Sequence, residues 1–228
     1  MSSLVKMQEH DAYIALHLDD GKANALGFEM IAAINAGLDT AAEREMPVVI
    51  QGRPGKFSAG FDLSVMVNQD VETRRLLSQG AELSLRLMRF ETPVILAVTG
   101  HALAMGALLC LSADYRIGVE GEFKLGLNEA AIGMTLPWFG VELARHRLAT
   151  THFTASVGLA KIYDPSTAVE AGFLDEAVAA EGFEARVEEM AQTVAKLDMA
   201  AHRGSKERVR EEFFKRSAEG MQRDFAEA

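Results

Sequence analysis

The sequence has few of the residues that mark several protein classes. Its single cysteine, Cys110, excludes an intramolecular disulfide, and its place in an apolar run predicts a structural thiol in a reducing compartment. Only five prolines and no low-complexity segment argue against a long disordered region. No apolar run reaches the roughly 20 residues of a membrane-spanning helix. The chain begins with no secretory signal pattern, so the expected location is cytoplasmic.

Positive charge is also scarce. The 23 lysines and arginines are outnumbered by 33 acidic residues, which gives a formal net charge of −10. This balance argues against nucleic acid or an anionic membrane as the main partner. It still allows a phosphorylated small molecule, because a few local cations and backbone N–H groups hold phosphates. His146 and His152 are isolated and no ligand spacing is present, so no metal site is predicted.

The 228 residues, 49% of them apolar, provide ample material for a buried core. Residues 13–18 alternate apolar and polar side chains, as a half-buried strand does. The predicted elements that follow are a helix over 27–44, a strand over 48–50, a glycine-containing loop over 52–60, a polar helical region, a strand over 94–98, a helix over 103–112 and a strand over 114–119. This alternation favours an α/β layer with parallel strands.

After Pro137 the apolar pattern is helical throughout. Candidate helices lie at residues 151–159, 166–171, 183–197 and 205–226. No linker separates them from the preceding region. We therefore predict an α/β core over residues 1–150, which carries the site, and a helical C-terminal part over residues 151–228.

Two glycine-bearing turns, at residues 56–63 and 100–106, are candidates for chemistry. Each follows a strand and precedes a helical segment, so backbone N–H groups are left unpaired and point outward. Two such groups from separate turns can converge on one oxygen, which is what an oxyanion hole requires. Taken singly, each turn is also what an ordinary strand-to-helix connection looks like.

Taken together, the motifs resemble those of the enoyl-CoA hydratase/isomerase (crotonase) family. They occur in order at matching spacing over about residues 12–175. The motifs are residues 22–26 (KANAL), residues 57–63 (FSAGFDL) followed by Met66, residues 92–102 (TPVILAVTGHA), residues 113–117 (ADYRI), and residues 125–129 (LGLNE) followed by Ile132 and Gly133.

The resemblance implies a ββα spiral that assembles as a trimer or a dimer of trimers, with residues 151–228 serving oligomerisation. It implies an enzyme of fatty acid metabolism that acts on an acyl-CoA thioester and needs no cofactor beyond the substrate's own CoA. The N–H groups of Phe61 and Met105 would form the oxyanion hole. The segment Lys22, Ala23, Asn24, Ala25 and Leu26 and the turn Ala59, Gly60, Asp62 and Leu63 would line the CoA and pantetheine path.

The acid–base residues depart from the hydratase pattern. Family hydratases use two glutamates, and the first of these positions is Leu108 here, in the helix after the second turn. The second position is Glu129. A single carboxylate suits a Δ3,Δ2-enoyl-CoA isomerase, in which one base removes a C2 proton and returns it at C4. Residues 125–129 and 136–139 look particularly like the mitochondrial-type isomerases, and Leu108 would keep water out.

Several alternatives stay open at this stage. The chain could be a hydratase, a thioester hydrolase, a decarboxylase or a non-catalytic acyl-CoA-binding relative. Glu129 could instead cap the helical turn that follows it, and Asp62 more plausibly caps a turn than acts as a base.

Other residues are given structural or substrate-contacting interpretations. Ala104, Leu108 and Trp138 are further expected substrate contacts. Trp138 and Phe139 also fit core or acyl-pocket walls, and His101 fits either a satisfied turn histidine or a ligand contact. Ala104 and Met105 replace glycines of the family pattern. The cations Lys206, Arg208 and Arg210 fit a solvated helix face, with CoA phosphates as a weaker alternative. The chain ends soon after Phe225, so the closure of an acyl-tail pocket is left open.

Overall fold

The larger sheet of the molecule has six strands. The computed structural model describes residues 4–67 and 70–225. Its strand order is β1-β2-β3-β5-β7-β9. β1 pairs antiparallel with β2, and every other pair is parallel. The strands are β1 (Val5–Glu9), β2 (Ile14–Leu18), β3 (Val48–Gln51), β5 (Val94–Val98), β7 (Tyr115–Val119) and β9 (Glu176–Val178).

A smaller, parallel sheet of three strands lies beside it, in the order β4-β6-β8. Its strands are β4 (Gly55–Ser58), β6 (Gly100–Leu103) and β8 (Leu125–Gly126). Each follows a strand of the large sheet along the chain, namely β3, β5 and β7 in turn. The backbones of β4 and β6 approach so closely that a Cβ on Gly100 would lie 2.0 Å from the Gly55 carbonyl carbon.

The helices follow these strand pairs and produce a repeating strand–strand–helix order. All eight residues of α4 are buried, which makes it the central helix of the core. The helices are α1 (Phe28–Glu43), α2 (Leu63–Met66), α3 (Val71–Arg89), α4 (Met105–Ser112), α5 (Trp138–Arg147), α6 (Thr150–Gly158), α7 (Pro165–Ala171), α8 (Ala180–Val194) and α9 (Met199–Phe225), with a 3-10 turn at Ala130–Ile132.

The large sheet is covered on both faces, which explains its continuous apolar strands. Val94–Val98 is buried at every position. One face packs on α1 and α4 within the main core. The other face is covered by α8, whose Phe183, Val187 and Ala191 join Ile95 and Ile117 in a second apolar cluster.

The C-terminal part, residues 151–228, was predicted to be helical throughout, but it also takes part in the large sheet. It contributes the strand β9, which pairs in parallel with β7. Helix α9 packs along α5 and α3. The interpretation of Lys206 and Arg210 as a solvated face is wrong, because both are buried and both form ion pairs with Asp114, at 2.7 and 2.8 Å. Arg208 is exposed.

The predicted strands at 13–18, 48–50, 94–98 and 114–119 and the helix at 27–44 are confirmed within one or two residues. The small sheet was not predicted, because β4 lies in the segment interpreted as a loop and β6 lies in the second glycine-bearing turn. Residue 226, the predicted end of the last helix, lies outside the described residues. Within the described residues, no helix is long and apolar enough to cross a bilayer.

Candidate active site

The two glycine-bearing turns meet at the ends of β4 and β6. A Cβ on Gly60 would lie 2.8 Å from the Ala104 Cβ and 3.1 Å from the Met105 nitrogen. Gly60 has φ +95°, a conformation that favours glycine. The turn that precedes α2 therefore packs directly against the turn that begins α4, and only a residue without a side chain fits between them.

The Phe61 and Met105 amides are free to bind a ligand oxygen. Met105 is the first residue of α4, so its N–H has no partner within the helix. Phe61 bridges to Leu26 through the neighbouring Gly60 carbonyl and Asp62 N–H, and its own N–H is not used. Within residues 4–67 and 70–225, neither amide donates a hydrogen bond. The arrangement has the two donors that an oxyanion hole requires.

Ala104 stands in a strained backbone conformation immediately before Met105. Its φ is 49° and its ψ is −124°, a region in which non-glycine residues are rare. Its N–H donates to the Gly126 carbonyl at 3.0 Å, so the turn is held from β8. The substitution of the family's glycine by Ala104 leaves the turn intact, and the hydrogen bond to β8 helps to hold the strained residue in place.

A cavity of about 200 Å³ lies beside these turns. It is mostly apolar. Six of the predicted site residues line it: Ala59, Phe61, Leu63, Ala104, Leu108 and Glu129. The remaining walls come from Met66, Leu77, Asn128, Ile132, Met134, Thr135 and Pro137.

Glu129 brings a carboxyl group into this apolar surrounding. The residue is 8% exposed, and its Oε2 is buried without a hydrogen-bond partner among the described residues. Its side chain makes no capping hydrogen bond to the 3-10 turn that follows. The backbone carbonyl of Glu129 accepts the bonds there, from Ile132 and Met134. The capping interpretation of Glu129 is therefore wrong.

Burial also changes the acidity of this group. Removal of the carboxylate from water raises the pKa of Glu129 to about 7. A hydrogen bond from the backbone N–H of Glu129 opposes that shift only in part. A carboxyl group with a pKa near neutrality can both accept and return a proton at physiological pH, as general acid–base catalysis requires.

Leu108 occupies the wall of the same cavity, from the second turn of α4. It is 1% exposed and packs near Gly140 of α5. Among the described residues, Glu129 is the only carboxylate that lines the cavity. The site thus has one ionisable acid–base group and an aliphatic side chain at the other predicted position.

Some residues of the Lys22–Leu26 segment are buried and bonded to the rest of the fold, and others are exposed. Asn24 is fully buried, and its Nδ2 donates to the carbonyls of Leu18, Lys56 and Phe57. Asp20 accepts from the N–H groups of Lys22, Asn24 and Ala25. Lys22 is exposed and Leu26 is buried. Asn24 is therefore committed to joining this segment to β4 rather than to a ligand.

Two further predicted residues have positions that limit their roles. Asp62 accepts from the Ser64 N–H and hydroxyl, so it caps α2 as the sequence indicated. Trp138 lies outside the Glu129 cavity, because its ring stacks under the Arg223 guanidinium of α9 at 4.8 Å. Its neighbour Pro137 lines the cavity instead. Trp138 contributes to helix packing, and its assignment as a substrate contact is not supported by this geometry.

Sequence reasoning did not assign seven residues of the cavity wall to the site: Met66, Leu77, Asn128, Ile132, Met134, Thr135 and Pro137. Leu77 lies on α3, between two of the motifs and in neither of them. Ile132 and Met134 flank Gly133, the motif glycine four residues after Glu129. Their place beside this glycine was the sequence signal that could have identified them as wall residues. Asn128 Oδ1 is a buried oxygen without a partner among the described residues, so it adds a second polar group beside Glu129.

The sequence profile of the enoyl-CoA hydratase/isomerase family matches residues 8–226. The chain belongs to this family. A solved enoyl-CoA hydratase/isomerase family protein from Pseudomonas syringae is 41% identical, with a TM-score of 0.95 over 98% of this chain and 97% of that one. The solved Mycobacterium tuberculosis enoyl-CoA isomerase is 37% identical, with a TM-score of 0.94 over the whole of both chains. These neighbours confirm the predicted crotonase-like spiral.

A curated relative carries the isomerase name. Enoyl-CoA delta isomerase 1 of Rattus norvegicus mitochondria is 31% identical over 137 residues, which cover 58% of this chain and 46% of the rat protein. The chain therefore spans about half the length of the curated isomerases it matches.

Proposed function

We propose that the protein is a Δ3,Δ2-enoyl-CoA isomerase with Glu129 as its single proton carrier. The ionised carboxylate removes a proton from C2 of a 3-enoyl-CoA, and the electrons of that C–H bond delocalise onto the thioester oxygen. The amides of Phe61 and Met105 bind this developing negative charge. The neutral carboxylic acid then gives the proton to C4, which leaves the double bond between C2 and C3.

One observation carries the proposal. Glu129 is buried in an apolar cavity where Leu108 stands in place of a second carboxylate. Hydration needs a water molecule that is held and activated, whereas proton transfer between two carbons benefits when water is kept out. The raised pKa supports the same chemistry, since the group must hold the proton between the two steps. The isomerase name of the rat protein agrees with this choice, whereas the M. tuberculosis protein is named an isomerase in one solved structure and a probable hydratase in another.

Enoyl-CoA hydration is the second candidate, and Asn128 is the observation that favours it. Asn128 Oδ1 and Glu129 Oε2 are both buried acceptors without a partner in the part of the chain that the structure describes, and both side chains line the cavity. A water molecule with two donor hydrogens satisfies such a pair. If that water stayed in place when substrate bound, it could add to a 2-enoyl-CoA.

The Glu129→Gln variant separates catalysis from binding. The amide fits the same space but cannot accept the C2 proton. We expect turnover of a 3-enoyl-CoA to fall by about 10³-fold or more, while octanoyl-CoA still binds with an affinity near that of the unmodified protein. The matched control is Glu170→Gln, on the exposed surface of α7, which should keep full activity. Undiminished turnover by Glu129→Gln would contradict the assignment, and no turnover by the unmodified protein would indicate a binding protein.

The remaining parts of the proposal follow from the family. The substrate is an acyl-CoA of fatty acid metabolism, and the reaction uses no cofactor beyond the CoA that the substrate carries. The predicted trimer or dimer of trimers stays a prediction, as does the cytoplasmic location. The cavity shares Leu63, Met66 and Leu77 with a wider cleft of about 720 Å³, which gives the acyl chain a route out of the site.

A further inference from the structure

Gly80 lies in the middle of α3, where the side chains of both proposed oxyanion-hole residues meet. A Cβ on Gly80 would lie 2.3 Å from Cζ and 2.5 Å from Cε1 of the Phe61 ring. It would lie 3.3 Å from the Met105 Cε. The first two distances are far below any normal carbon–carbon contact. The ring of Phe61 therefore occupies the space that the side chain of any other residue at position 80 would need.

A glycine at this place is unfavourable for the helix itself. Glycine in a helix interior is destabilising relative to alanine, because its backbone loses more conformational freedom on folding. α3 has 19 residues, and Gly80 is its only glycine. Phe61 and Met105 come from different turns, after β4 and β6, and their side chains meet at this one position on a third element. Helix propensity does not explain Gly80, whereas the contacts of Phe61 and Met105 do.

We propose that Gly80 is a positioning residue for the oxyanion hole, an inference that rests on the proposed function. The notch that Gly80 leaves on α3 seats the Phe61 ring and the Met105 methyl group together. The side chains of both residues are thereby held in place. The backbone of Phe61 is held as well, because Leu26 forms hydrogen bonds with both neighbours of Phe61. The notch also holds the Phe61 ring against α3, at the wall of the cavity that Phe61 lines.

The Gly80→Ala variant tests this role. The added methyl group must displace the Phe61 ring, which moves its amide or fills the cavity. We expect kcat for a 3-enoyl-CoA to fall by about tenfold or more. A second readout needs no turnover: the carbonyl stretch of ¹³C-labelled octanoyl-CoA, which hydrogen bonds from the hole lower on binding. We expect that lowering to shrink in Gly80→Ala.

Two further variants separate positioning from a general loss of structure. Gly204→Ala is the matched control, because Gly204 lies in α9 and a Cβ there meets nothing within 4 Å. It should leave kcat and the carbonyl shift unchanged. In the second, Phe61→Leu removes the ring but keeps the backbone amide. Adding Gly80→Ala to Phe61→Leu should change kcat by less than about twofold, because the clash is gone.

The outcomes distinguish this inference from the proposed function. An unchanged carbonyl shift and kcat in Gly80→Ala would overturn the positioning role, and so would an equal loss with and without the Phe61 ring. If Gly80→Ala does not fold, the comparison of Phe61→Leu with its Gly80→Ala double variant decides: a loss above about twofold there overturns the role. If the unmodified protein binds octanoyl-CoA with a lowered stretch but turns over no 3-enoyl-CoA, only the isomerase proposal fails.

Discussion

Glu129 shows how the surroundings of one residue change its chemistry. An exposed glutamate is fully ionised at neutral pH and is a weak acid–base catalyst there. In the cavity beside Leu108, the charged form loses hydration on burial, and its Oε2 has no hydrogen-bond donor within the described residues. The neutral and ionised forms are then both populated near pH 7. One carboxyl group can thus serve as base and then as acid.

The pH dependence of the reaction follows from this pKa. Only the ionised carboxylate removes the C2 proton, and burial raises the pKa of Glu129 to about 7. We expect kcat/KM for a 3-enoyl-CoA to rise with pH and to level off above about pH 7, with about a tenfold fall per unit below it. A pH profile on the free enzyme measures this. A rate that stayed level down to the ordinary pKa of a glutamate would contradict the proposed environment.

The same carboxyl group should make stability depend on pH. Its pKa is raised in the folded state, so the folded protein holds a proton that the unfolded chain releases between 4.5 and about 7. Stability is therefore lost as pH rises through this window. We expect Glu129→Gln to be more stable than the unmodified protein at about pH 8, by on the order of 3 kcal/mol at most, and equal to it at about pH 4.

Urea unfolding of the two proteins at both pH values measures the difference. Glu170→Gln serves as control and should show no such pH-dependent gain. An equal stability of Glu129→Gln and the unmodified protein at the higher pH would mean that the carboxyl group is solvated in the folded state.

For individual residues, the sequence predicted the backbone position in the fold better than the contacts of the side chain. Glu129 and Leu108 were found from their spacing to glycines, and the structure brings both to one cavity. Asn24 and Trp138 were placed with the substrate by the same motifs, yet their contacts lie elsewhere. Spacing along the chain fixes where a backbone stands in the fold. It does not fix which way a side chain turns, and that depends on residues far along the chain such as Arg223.

Among the elements, the short strands escaped prediction for a physical reason. β4 and β6 have four residues each and begin with glycine, and β8 has two residues. None is long enough to show the alternation of a half-buried strand, and β6 continues almost directly from β5. Their pairing partners come from distant parts of the chain. The long apolar strands of the large sheet were predicted correctly because burial on both faces marks each of them independently.

Helix α9 is attached to the core through charges that the sequence suggested were solvated. Lys206 and Arg210 are buried and share Asp114, which also accepts the Val94 N–H at 2.8 Å. Desolvation lowers the pKa of Lys206 to about 8, and the nearby Asp114 carboxylate opposes this shift. Asp114 thus links α9 to the start of β5.

Asp114→Asn should therefore be strongly destabilising. The amide keeps an oxygen for Val94 but leaves two buried cations without a counter-charge. We expect a loss of about 3 kcal/mol or more in the free energy of unfolding, as measured by urea denaturation. The matched control is Asp39→Asn, which removes the exposed partner of Arg86 and should change stability by less than about 1 kcal/mol. Equal effects of the two substitutions would show that the Asp114 pairs add little.

For the whole molecule, the sequence pattern alone established an α/β layer with parallel strands but not the way the layer is closed. The order of strands and helices is compatible with several α/β architectures. The crotonase-like spiral depends on the second sheet, and it was reached through the motifs that resemble the family. Beyond residue 150, β9 pairs in parallel with β7 of the large sheet. Local sequence patterns do not predict which strands from distant parts of the chain pair with each other.

The central claim is that this scaffold moves a proton with one carboxylate and does not add water. The most direct test is to give the unmodified protein a 3-enoyl-CoA and, separately, a 2-enoyl-CoA, and to identify the products. We expect conversion of the first to the 2-enoyl-CoA, with little or no 3-hydroxyacyl-CoA from the second. Hydration of the 2-enoyl-CoA without isomerisation of the 3-enoyl-CoA would contradict it.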